Sequence, residues 1–113
     1  MTNEKDQWRL SHIMEAIENI EEFVKDIDKK NFLENLQLQA ALVRMFKIIG
    51  EAANNLSSQF LAEHKEIKWR DVIGMRHAIV HDYFEVNLEV VWDTIKVDIP
   101  KLKLQINKLL KQS

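Results

Sequence analysis

One apolar stripe constrains this chain more than anything else in it. Leu88, Val91, Ile95, Ile99, Leu102, Ile106 and Leu109 recur at steps of three and four, the repeat of a single helix face. A strand alternates its side chains with period two and cannot hold that pattern on one side. A second stripe runs through Leu10, Ile13, Ile17, Ile20, Val24 and Ile27, and a third through Leu38, Leu42, Met45, Ile49, Ala52, Leu56 and Phe60. The spacing predicts helices over about 6–28 and 31–64, a third starting near Trp69, and a fourth following Asn87. Asn31 and Asn87 are the expected N-caps. Only 2 glycines and 1 proline occur in 113 residues, too few turn residues for a many-stranded fold. The expectation is an all-α antiparallel four-helix bundle, a single domain spanning 1–113. It carries a kink near Pro100 and a close helix approach at Gly50, which sits beside Ala52 and Ala53.

The charge balance limits function without fixing it. A formal net charge of -2 excludes a grossly basic nucleic-acid binder but leaves room for a local basic cleft. The chain has no cysteine, which removes disulfides, thiolate metal sites and cysteine nucleophiles. The first residues lack the apolar run of a signal peptide, and nothing approaches the ~20 apolar residues of a membrane span. A cytoplasmic protein is expected.

The segment "RHAIVHDYF", from Arg76 to Phe84, sets polar chemistry in a core-forming context. At about 100° per residue, Val72, Ile73, Ile79, Val80 and Tyr83 all fall within roughly 60° of Arg76. Arg76 therefore points along an apolar face, where an unpaired guanidinium is costly and requires a partner. A carboxylate in the core would satisfy it, and Glu51 in "GEAA" is the candidate. His77 and His81 stand one turn apart and could in principle chelate a metal. The residues between them are Ala78, Ile79 and Val80, so the glutamate of an HExxH site is missing. No third ligand is evident, although His12 and His64 lie elsewhere, so no metal is expected.

Metal-free phosphodiester cleavage uses Arg76 and His81 best. A histidine can move a proton to or from a ribose hydroxyl near neutral pH. An arginine can grip a phosphate bidentately and stabilise the charge that develops on it. Five residues along a regular helix nevertheless separate the two by about 140°. Either the helix loosens near His81, or two copies of the chain share one cleft.

These residues resemble a known family. Arg76, four intervening residues, His81, Asp82 and Tyr83 reproduce the R-X4-H-X-Y signature of HEPN-domain toxins, most closely the HepT group of HepT/MntA toxin–antitoxin systems. "IIGEAANNL", Trp69, "IGMRHAIVHDYFEV" and "VWDTIKVDIPKL" follow the family pattern in its usual order, from roughly Leu38 to Leu110. The resemblance implies a HEPN bundle that dimerises, or assembles further, and brings two motifs into a shared cleft. It implies a metal-independent endoribonuclease without a cofactor, in which Arg76 holds the scissile phosphate and His81 is the general acid–base. The product would be a cyclic phosphate.

His77 takes a position where the family commonly has asparagine, and a supporting role follows from that. Tyr83 corresponds to the residue adenylylated by the partner antitoxin, a minimal nucleotidyltransferase. AMP added there would obstruct RNA and repel it electrostatically. The family often has proline before the tryptophan, where this chain has "EIKW". Arg44, Lys47, Lys68 and Arg70 are candidates for an RNA-binding rim because they flank the motif or its neighbouring helix. Two other readings stay open: a non-catalytic module that binds a nucleotide or a nucleotidyltransferase, and a purely structural dimer. No base-reading element is visible that would say which RNA is cut.

Overall fold

A computed structural model describes residues 3–78 and 87–112. These form α1 (Glu4–Val24), α2 (Lys29–Leu33), α3 (Leu36–Asn54), α4 (Ser58–Glu63), α5 (Trp69–Ala78), α6 (Leu88–Asp93), a π-helical turn (Thr94–Asp98) and α7 (Ile99–Lys111). All secondary structure among the described residues is helical, as the periodicity predicts. The central helix α3 packs against α1 on one side and α5 on another, and α1 also packs against α7.

The first two helices are shorter and more broken than expected, and the caps show why. α1 ends at Val24, and Asp26 follows with φ 62°, a left-handed conformation that aspartate tolerates better than most residues. Asn31 is not an N-cap. Asp28 takes that role for α2, accepting from the Asn31 backbone N–H at 2.8 Å, and Asn35 caps α3 by accepting from Leu38 N–H at 2.9 Å. The segment expected to run on to His64 stops at Asn54. Ser57 interrupts it: its backbone N–H donates to Asp6 Oδ1 at 2.8 Å and its hydroxyl to Asp6 Oδ2 at 2.7 Å. The Ser57 hydroxyl also caps α4 by accepting from Phe60 N–H at 3.1 Å. Asp6 is the one buried charged side chain among the described residues. Sequence periodicity cannot anticipate a bond that spans 51 residues.

The core takes one helix face after another, as the stripes require. Leu10, Ile13, Ile17 and Ile20 meet Leu42, Phe46 and Ile49, with Ile99, Leu102 and Ile106 closing the cluster. Each such side chain contributes about 1.5–3 kcal/mol on burial, so packing rather than surface ion pairing holds the helices together. α2 is fixed to α6 by the Phe32 and Trp92 rings, 5.1 Å apart, and by the Lys29–Glu89 ion pair. Asn87 caps α6 as predicted, accepting from Val90 N–H at 3.2 Å. At Pro100 the expected kink takes the form of the π turn just before it. Proline has no N–H to donate and crowds the carbonyl four residues back, so the turn ahead of it widens. Ile99 N–H reaches back to the Thr94 carbonyl. Lys103 bonds Glu21 at 2.8 Å and ties α7 to α1, and that bond with the Glu21 charge raises the Lys103 ammonium above its ordinary range.

Candidate active site

The loop that delivers the motif is anchored before the helix begins. Trp69 is buried, and its indole N–H donates to the His64 carbonyl at 2.8 Å. Its ring lies 6.0 Å from that of Phe60. From this fixed start, α5 turns Val72 into the core and places Arg76 one turn later, half-buried against α3.

Gly50 determines how close Arg76 comes. A Cβ at Gly50 would stand 2.4 Å from the Arg76 backbone nitrogen, 2.6 Å from Arg76 Cβ and 2.8 Å from the Ile73 carbonyl oxygen. No side chain larger than hydrogen fits there, so the glycine lets the two backbones meet. Arg76 Nε is shielded from solvent and has no hydrogen-bond partner among the described residues. Glu51 does not supply that partner. The ion pairs among the described residues are Lys29–Glu89, His64–Glu66 and Lys103–Glu21. Glu51 instead opens onto a groove shared with α1, because the residue after Gly50 lies about 100° round the helix from the α5 contact.

His77 is exposed. His81 and Tyr83 lie outside the described residues. The four expected rim cations divide. Arg44 and Lys47 line the α1–α3 groove, of about 280 Å³, together with Arg9 and His12. Lys68 lines a different groove, of about 300 Å³, between α5 and the π turn with α7, where it and Lys101 share the lining with Glu66, Asp71 and Asp98. Arg70 is exposed and lines neither. The motif singles out neither Arg9 nor His12 for RNA, and His12 enters the sequence only as a histidine remote from the His77 and His81 pair. The three-residue separation of Arg9 and His12 beside Trp8 was the available signal, since it puts them on one helix face.

A family model for "Ribonuclease HepT-like" proteins matches residues 13–109. The chain belongs to the HepT-like family. A family member from Thermococcus cleftensis, named "Probable ribonuclease HepT", is 45% identical over 102 residues, 90% of this chain and 93% of that one. Another, from Caldanaerobacter subterraneus subsp. tengcongensis and named as a candidate RNase, is 38% identical over 103 residues, 91% of this chain and 92% of its own. No solved structure matches the chain. The all-α fold of the described residues is consistent with that membership. Among the described residues no helix is long and apolar enough to cross a membrane, and no three His, Asp or Glu side chains gather where a metal ion could be held.

Proposed function

We propose that this chain is a ribonuclease toxin that cuts RNA in the cytoplasm without a metal ion, using Arg76 and His81 in a cleft shared by two copies. Family membership supports the ribonuclease activity, and the observation that carries the site is the Arg76 guanidinium. Its Nε is withdrawn from water and unpaired among the described residues, a costly state for a charged group that a bound phosphate would relieve.

In this reading Arg76 grips the phosphate and offsets charge as the 2′-oxygen attacks phosphorus. His81 transfers the proton, from the attacking 2′-hydroxyl or to the departing 5′-oxygen. The P–O5′ bond breaks, leaving a 2′,3′-cyclic phosphate and a 5′-hydroxyl. His77 supports the motif from the exposed side of α5. A nucleotidyltransferase antitoxin silences the enzyme by adenylylating Tyr83, adding bulk and negative charge where RNA must enter.

The test is cleavage of single-stranded RNA in chelator-treated buffer by the parent, Arg76→Ala and His81→Ala proteins, with product ends identified by mass. Loss of cleavage in both variants with the fold retained is the expected result. If His81→Ala cuts as fast as the parent, the assigned chemistry is wrong. Nucleotide binding by the parent without turnover of any RNA would leave only the binding-module reading.

A further inference from the structure

The α1–α3 groove has the composition of a nucleic-acid channel, and nothing in the proposed chemistry uses most of it. Arg9 and His12 from α1 face Arg44 and Lys47 from α3, with Glu51 the single carboxylate on its lining. None of these four side chains belongs to an ion pair among the described residues. Arg9 Nε is shielded from solvent and lacks a partner there, so the charge has been positioned without being neutralised. At the groove edge Trp8 is 53% exposed, an unusual state for so large an apolar ring. Its ring lies 4.0 Å from that of His12, and the Arg9 guanidinium carbon sits 4.9 Å from its centroid. An exposed indole braced by a histidine and an arginine is a stacking platform.

The groove is also placed to continue from Arg76. On the α3 wheel, Lys47, Glu51 and Arg44 stand roughly 60–120° round from Gly50, the residue that touches Arg76. The outer face of α3 therefore has Arg76 along one border and Arg9 along the other.

We propose that this groove binds the single RNA strand beyond the cleaved phosphate. Arg9, Arg44 and Lys47 hold successive phosphates, and Trp8 stacks on a base. Glu51 accepts a hydrogen bond from a ribose hydroxyl or base amine and keeps the channel from binding anions indiscriminately. This rests on the ribonuclease reading for the identity of the strand, but the contacts involve neither His81 nor the chemical step.

The experiment is fluorescence anisotropy with a labelled, uncleavable 2′-O-methyl oligonucleotide and the full chain, over a series of salt concentrations. Circular dichroism confirms the fold of each variant. The triple variant Arg9→Gln, Arg44→Gln, Lys47→Gln should bind at least tenfold more weakly, and its log–log salt slope should fall by about 2, because each phosphate contact on a single strand contributes about 0.7. Trp8→Ala should weaken binding about tenfold with little change of slope. The corresponding lysine variants, Arg9→Lys with Arg44→Lys, should keep the parent slope. Unchanged affinity and slope in both the triple variant and Trp8→Ala would overturn the groove assignment even if RNA is still cleaved. So would variants that lose only an acidic protein partner. Groove-dependent oligonucleotide binding by a parent that cuts no RNA would uphold the groove and defeat the ribonuclease reading instead.

Discussion

Gly50 on α3 and Arg76 on α5 meet backbone to backbone, with room for no more than a hydrogen between them. Arg76 owes its close seat against α3 to a residue 26 places earlier that carries no chemistry itself. The contact makes Gly50→Ala a sensitive probe. Alanine favours a helix over glycine by about 1 kcal/mol, yet its Cβ would have to displace backbone, and such overpacking costs roughly 1–3 kcal/mol. A net loss of stability in urea melts is expected, with RNA cleavage impaired as Arg76 shifts. Gly74, where a Cβ meets nothing within 4 Å, is the control. Gly74→Ala should raise stability by about 0.5–1 kcal/mol.

Asp6 should prove the most sensitive charged residue for folding. It is buried and accepts both the backbone N–H and the hydroxyl of Ser57. Asp6→Ala leaves those donors unsatisfied, and hydrogen bonds to a charged group contribute about 1.5–3 kcal/mol each. A loss of roughly 3 kcal/mol or more in chemical denaturation is expected. A melt indistinguishable from the parent's would mean the α3–α4 break is held by something else.

Charge alone should not replace Arg76. Lysine keeps the positive charge but lacks the planar fork that holds two phosphate oxygens. Arg76→Lys is expected to fold normally and lose cleavage by about 10²–10³-fold, the range for removing one preorganised transition-state donor. Near-parental rates for Arg76→Lys would point to simple charge screening.

Removal of divalent cations should leave cleavage unchanged. The proposed chemistry routes the proton through His81 and the charge through Arg76, so dialysis against a chelator removes nothing it uses. A rate that falls on chelation and returns with added magnesium or zinc would replace this mechanism with a metal-assisted one.

The bundle was legible in the chain because one physical rule decides most of it. Apolar residues at steps of three and four must share a helix face, and Leu10 to Ile20, Leu42 to Ile49 and Ile99 to Leu109 all enter one core on that rule. Gly50 beside two alanines likewise marked a close helix approach. Helix ends were harder. Asn31 looked like a cap, yet Asp28 and Asn35 act instead, since several side chains can cap and local sequence does not rank them. Pro100 announced a disturbance but not that it would be absorbed as a π turn.

By itself the sequence determined an all-α chain, the apolar setting of Arg76 and the motif that points to the HepT-like family. Tertiary structure decided how far Arg76 is buried, that Glu51 does not pair with it, and that Arg9 and His12 join Arg44 and Lys47 across one groove. The division has a physical cause. Helix faces follow from neighbours three and four residues away, whereas Gly50 against Arg76, Ser57 against Asp6 and Arg9 opposite Arg44 pair residues 26, 51 and 35 positions apart. Only folding brings such partners together.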